Sequence, residues 1–319
     1  MVTCKAALAA LATALALFSG AAVAQDYPAR PVEVISPYQS GGTTDILGRP
    51  FVEAMSRHFG RPFVLVNRPG ANGAIGVAAT ARAPADGYTL TFTTAVSIVV
   101  NPLVQANPGY TVDSLDHLCQ TFSNQMVIVL RPDSPLKTVD DIIKAGRANP
   151  GKLSYSNVGT GSIPHLAMYE LSQVAGVEFN AIPFKGGGEV VAQVMGGHVD
   201  FATATLTSVV KTPVKIVGLF GRERNPGIPD VPTLRELGYD VAPSSLGGIS
   251  APKGLPADVK RKLEDACKAA AAGELYAAAA KNVYQPLDYY AGGAEYTAAL
   301  QEDVKVKGRL LGQLGMLKK

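Results

Sequence analysis

The residues best placed to do chemistry in this 319-residue chain are mostly uncharged. Tyr38, Ser40, Gly41, Gly42, Thr43, Thr44 and Asp45 fall in one run, PYQSGGTTDILGR (37–49). A second run, SNVGTGSIPH (156–165), brings together Asn157, Gly159, Thr160, Gly161, Ser162 and His165. Each places glycines and hydroxyls just before a helical pattern. The first N–H groups of a helix have no partner inside it, and the helix dipole adds partial positive charge there. Glycine lets the main chain come close to a ligand, and hydroxyls add donors. The chemistry this suits is the holding of an anion by amides and hydroxyls, since no basic residue precedes Arg49 in the first run. Taken singly, either run reads as well as a tight turn with a hydroxyl cap, Asp45 complementing the dipole. Two of them, one in each half of the chain, point to a ligand held between two units.

Other chemistries fit poorly. Ser162 and His165 are a nucleophile and a base by type, but at a helix start they read better as an N-cap and a pocket-edge histidine. No third triad member is evident. Gly159-Thr160-Gly161 opens like a dinucleotide fingerprint, yet Pro164 stands where its third glycine belongs. Gly151-Lys152 runs into Leu153, so there is no phosphate loop of the G-K-[ST] type. The four histidines are scattered. No catalytic residue, metal site or cofactor is expected, and the chain does not read as an enzyme.

The elements that must carry these loops alternate. Strands are expected at 32–36, 63–67, 88–93, 126–130, 153–157, 179–184, 199–204 and 214–220, with helices between most of them. That order predicts an α/β architecture with mostly parallel sheets. Thr138 is placed to cap a helix with Asp140 and Asp141 in its first turn. Gly48 and Pro50 predict a kink or a delayed start in the helix after the first loop, because an interior proline costs roughly 3 kcal/mol. The alanine-rich run 266–280 reads as helix.

The formal charge of +3 does not suggest nucleic acid as a partner. Residues 6–18 are a short apolar run, and Ala22-Val23-Ala24 matches a signal-peptide cleavage site, so export with cleavage after Ala24 is expected. Cys119 and Cys267 would then meet an oxidising compartment that permits a bridge. Cys267 lies on the stripe Val259, Leu263, Ala266, Ala270, and the reading preferred here is a buried free thiol.

Seven stretches taken in order carry a resemblance: YPARPVEVISPYQSGGTTD, VNRPGANGAIG, ADGYTL, ANPGKLSYSNVGTGSIPHL, IPFKGGGE, GGHVDF and IPDVPTLRELG. The set resembles the extracytoplasmic solute receptors of tripartite tricarboxylate transporters, the Bug family. The resemblance implies an α/β, type II periplasmic-binding-protein fold, with two lobes joined by crossover strands and a ligand in the cleft. Lobe 1 would be 25–123 plus 247–319 and lobe 2 would be 124–246, with crossovers at 126–130 and 248–251. It also implies that a ligand carboxylate is gripped between the two loops. That assigns ligand contact to Tyr38, Ser40, Gly41, Gly42, Thr43 and Thr44 on one side. On the other it assigns Asn157, Gly159, Thr160, Gly161, Ser162 and His165. Asp45 is expected to organise its loop, because a second anion would repel the first. The loop at 93–97 adds Thr94 and Ser97. Many relatives carry an Asp-Asn pair after the VDF strand, where this chain has Ala204 and Thr205. The missing acid implies a carboxylate ligand without an amine, a dicarboxylate or an aromatic acid. The implied partners are that small molecule and two integral membrane permease subunits, with the receptor a periplasmic monomer. A receptor read by a sensor kinase, and an exported hydrolase, are the alternatives.

Overall fold

The computed structural model describes residues 27–184, 186–243 and 245–318, so the expected leader and the cleavage point after Ala24 lie outside them. The strands are β1 (Val32–Ser36), β2 (Phe63–Asn67), β3 (Thr89–Thr94), β4 (Leu115–Ser123), β5 (Met126–Leu130), β6 (Ser154–Asn157), β7 (Asn180–Pro183), β8 (Phe201–Thr205), β9 (Lys215–Phe220), β10 (Leu246–Pro252) and β11 (Ala291–Gly292). The α-helices are α1 (Thr43–Phe59), α2 (Ala74–Ala81), α3 (Asn101–Val104), α4 (Val139–Ala148), α5 (Ile163–Ala175), α6 (Gly187–Met195), α7 (Leu206–Val209), α8 (Ala257–Ala271), α9 (Glu274–Asn282) and α10 (Gly293–Gln313).

Two sheets result, ordered β11-β4-β10-β3-β1-β2 and β7-β6-β8-β5-β9. In the first, β1 runs parallel to β2 and β3, while β10 is antiparallel to β3 and β4. In the second, β6 runs parallel to β7 and β8, while β5 is antiparallel to β8 and β9. The chain leaves the first sheet after Ser123 and comes back to it at Leu246. The two passages lie side by side, since the Asn124 amide donates to the Ser245 carbonyl at 2.9 Å. This corrects the expected crossovers. Residues 126–130 and 248–251 are strands inside the sheets that receive the chain after each passage. The reason is composition: β5 reads MVIVL and is buried along its whole length, as a strand covered on both faces must be.

Helices cover both faces of each sheet. On the first sheet, α1, α8 and α9 close over one core with Leu47, Phe51, Leu263 and Tyr276, and α2 and the start of α10 cover the other face. On the second, α4 and α5 pack one face through Ile142, Leu166 and Leu171, and α6 and α7 pack the other through Val190, Val194 and Leu206. Helix α10 belongs to both. Tyr296 and Leu300 enter the first sheet's core, whereas Leu310 and Leu311 enter the second's. Between them Lys307 Nζ and an Asp303 carboxylate oxygen form an ion pair, both side chains buried. The last turns of the chain thus touch both units: Leu310 and Leu311 share a core with Leu166 and Leu171 but also with Val100, and the Lys318 amide donates to the Leu103 carbonyl at 2.9 Å.

Local expectations fare variously. Thr138 caps α4, accepting from the Asp141 amide at 3.1 Å while Asp141 accepts from the Thr138 amide at 3.0 Å. Helix α1 starts at Thr43 and runs on through Pro50, so its start is not delayed. Burying Leu47, Phe51, Val52 and Met55 at about 1.5–3 kcal/mol each outweighs the proline's roughly 3 kcal/mol. The alanine-rich run is not one helix: α8 ends at Ala271 and Gly273 caps α9. The free-thiol reading is also corrected. Cys119 on β4 and Cys267 on α8 are disulfide-bonded, their Cα atoms 6.3 Å apart. The apolar stripe that made Cys267 look like packing material is what lays it against β4.

Candidate functional site

A cleft of about 720 Å³ lies between the two sheets. One wall is the loop Pro37–Thr44 with Asn72 and Thr94, and the other is Ser162–Pro164, Gly186–Gly188, Thr205 and Ser208. Three helices therefore begin at it. Gly42 is the N-cap of α1, Ser162 of α5 and Gly186 of α6. First-turn amides such as those of Thr43, Thr44, Gly187 and Gly188 have no acceptor within their own helices. No acidic or basic side chain is among the described residues lining the cleft. Positive potential there comes from helix ends and hydroxyl dipoles, which suits a carboxylate.

The first loop owes its shape to Asp45. Its carboxylate accepts from the Gly41 amide at 3.0 Å, from Arg49 at 2.7 Å and from Asn67 Nδ2 at 3.2 Å. Burial works against the charge, but those bonds outweigh it and hold the carboxyl below its usual range. Asp45 is thus committed to the loop and lies beneath the cleft lining. Tyr38 stands in the wall, its hydroxyl 2.9 Å from Thr94 Oγ1. Gly73, which also lines the cleft, packs against it at φ +89°, where a Cβ would lie 3.3 Å from the Tyr38 ring and 2.9 Å from Ser97 Cβ.

Of the residues singled out in the sequence, Tyr38, Ser40, Gly41, Gly42, Thr43, Thr44, Thr94, Ser162 and Thr205 line the cleft. The others are not among the residues lining it. Ser97 is fully buried, bonded to Thr93 Oγ1 and the Thr94 carbonyl. Asn157 is fully buried and turns the loop by accepting from the Gly159 amide at 2.9 Å. Thr160 is exposed at the tip of that turn, and Gly159 and Gly161 supply its positive φ angles. Ala204 packs into the core under α6. His165 Nδ1 accepts from the Gly161 amide at 3.1 Å, and burial lowers the ring's affinity for a proton. Missing from the sequence reading were Gly186–Gly188, Asn72 and Ser208. The first of these had a signal, for Lys185-Gly186-Gly187-Gly188 repeats the strand–glycine–helix design already used twice.

A family model described as the tripartite tricarboxylate transporter family receptor matches residues 47–316. The chain belongs to this family. A Cupriavidus necator protein from the gbd 5' region is 33% identical over 316 residues, 98% of this chain and 96% of its own. The solved periplasmic binding protein BugD is 28% identical with a TM-score of 0.78, covering 92% of this chain and all of BugD's. An R. palustris protein solved with adipate is 24% identical with a TM-score of 0.82, covering 92% of this chain and 99% of its own. The expected periplasmic-binding-protein fold is therefore the observed one. As a Bug-type receptor the chain is a solute binder and not an enzyme. The Ser162–His165 pair agrees with that: Ser162 Oγ accepts from the His165 backbone amide at 3.3 Å, and the ring nitrogen Nδ1 that could serve as base is held by Gly161. Among the described residues no helix is long and apolar enough to cross a membrane.

Proposed function

We propose that this receptor is exported to the periplasm with its leader cleaved after Ala24 and binds an organic acid that carries no amine. The acid is a dicarboxylate or an aromatic acid, and a monomeric receptor delivers it to two integral membrane permease subunits. In this reading 25–123 with 247–319, and 124–246, form lobes that close on the ligand. The carrying observation is the cleft lining: three helix N-termini, a set of hydroxyls and no described charged side chain. A carboxylate there gains charge-assisted hydrogen bonds from donors already in place. An ammonium group would find no carboxylate partner, because Asp45 is occupied. The adipate held by the R. palustris protein is of the expected class.

The test is thermal unfolding of protein refolded from denaturant to remove any bound acid. It is run against succinate, malate, adipate, citrate and benzoate, with aspartate and glutamate as amine-bearing matches. A ligand at 100 times its Kd stabilises by about 2.7 kcal/mol, a shift of several degrees. The expected outcome is a shift with at least one amine-free acid and none of comparable size with either amino acid. A preference for aspartate or glutamate would refute the ligand class, and no shift with any acid would refute the carboxylate site.

A further inference from the structure

Among the described residues, a hydrogen bond joins the first wall to the element that carries the second. Thr43 Oγ1, at the start of α1, lies 2.6 Å from Thr207 Oγ1 on α7, 164 positions later in the chain. Thr207 is not among the described residues lining the cleft. Its hydroxyl hydrogen goes to Thr205 Oγ1 at 3.2 Å. A hydroxyl has one proton to give. With Thr207 donating to Thr205, the proton between the walls must come from Thr43. The chain then reads Thr43 to Thr207 to Thr205, every donor pointing the same way. Thr205 lines the cleft, and its own proton remains to be given. Its backbone is pinned, since Ser208 Oγ donates to the Thr205 carbonyl at 2.7 Å and the Leu206 amide donates to the Gln125 carbonyl at 2.8 Å.

We propose that Thr43, Thr207 and Thr205 form a hydroxyl relay that couples a bound carboxylate to closure of the cleft. The inference rests on the carboxylate reading of the site. A negative oxygen accepting from Thr205 polarises that hydroxyl, which becomes a better acceptor for Thr207, which becomes a better acceptor for Thr43. The bond that spans the cleft is strongest when the anion is present. Charge is sensed at one end of the relay and closure is reinforced at the other. By reciprocity, whatever stabilises the closed form tightens binding by the same factor.

Thr207→Val keeps the shape and removes the hydroxyl, while Thr207→Ser keeps the hydroxyl. Labels attached through unnatural amino acids at exposed Arg57 and Lys144 report the separation of the walls. The probes are succinate, adipate and benzoate at fixed salt. Without ligand, Thr207→Val is expected to shift the distance distribution toward longer values. With the probe acid that binds, it is expected to raise Kd roughly two- to tenfold, mostly through a faster off-rate. Thr207→Ser is expected to stay near wild type in both. Unchanged distance and Kd in Thr207→Val would overturn the relay. So would a Thr207→Ser variant as impaired as Thr207→Val, since packing of the methyl would then be the cause. A distance shift in a protein that binds none of the probes would overturn the carboxylate end of the relay and leave a bare latch.

Discussion

His117 sits on β4, fully inside the protein, with Nε2 3.1 Å from the Val112 carbonyl and Nδ1 2.9 Å from Ser250 Oγ. The carbonyl can only accept, so Nε2 carries the proton and Nδ1 accepts from the serine. Burial drives the ring's pKa down to about 4. The unfolded chain takes up that proton near 6.5. The folded state therefore keeps its full stability above pH 6.5 and loses it as the pH falls toward 4, by roughly 3 kcal/mol over the interval. Urea unfolding at pH 7, 5.5 and 4.5 should show this slope, and His117→Asn should flatten it. Equal slopes in the two proteins would place the acid sensitivity elsewhere. Asp45 acts in the same direction at lower pH: its carboxyl is held below its usual range, so its contribution is present above the ordinary carboxylate range and is lost as the pH falls through it.

At the scale of elements, the cleft depends on how closely the turn after β2 packs behind the first loop. Gly73→Ala puts a side chain at φ +89° and drives its Cβ against Ser97 and Tyr38. The expected loss is about 1–3 kcal/mol of stability together with weaker acid binding, because the displaced ring is part of the wall. Chemical denaturation and a ligand titration on the same sample check both, and unchanged binding would show that the Tyr38 ring does not contribute to holding the acid. The sequence displayed those elements whose burial pattern matches their period. β5 and α4 are legible for that reason. β4 was not, although it is the longest strand described. Its run LDHLCQTFS is polar by composition yet buried almost throughout. The polar groups are satisfied from distant segments: Asp116 accepts from Lys253 Nζ and from the amides of Gly254 and Leu255. No local signal announces partners about 140 residues away. The site was legible where a loop and a helix start are contiguous. The third helix start, at Gly186–Gly188, carried the same local signal, but its convergence on the other two is set by the fold and by nothing local.

For the molecule as a whole, the disulfide is the covalent fixed point. It joins residues 148 apart, and the enclosed loop contains the entire second sheet. Closing so long a loop restricts the unfolded chain by up to about 5 kcal/mol in the chain-entropy account. Dithiothreitol, or the double variant Cys119→Ala/Cys267→Ala, should lower Tm by several degrees and leave acid affinity nearly unchanged, since neither cysteine lines the cleft. A large loss of affinity would show that the bond also sets the relation between the walls.

The side-by-side passages at Asn124 and Ser245 make the second sheet a cassette spliced into the first, with entry and exit at one doorway. A graft between relatives would at first sight need only those two junctions. Helix α10 adds a third. Its terminal leucines, Leu310 and Leu311, are lodged in the cassette's core, so a chimera that exchanged residues 124–245 alone would pair that core with a foreign tail. The transferable module is the cassette together with the chain beyond Lys307, and recombination that respects only the doorway would separate parts that fold as one.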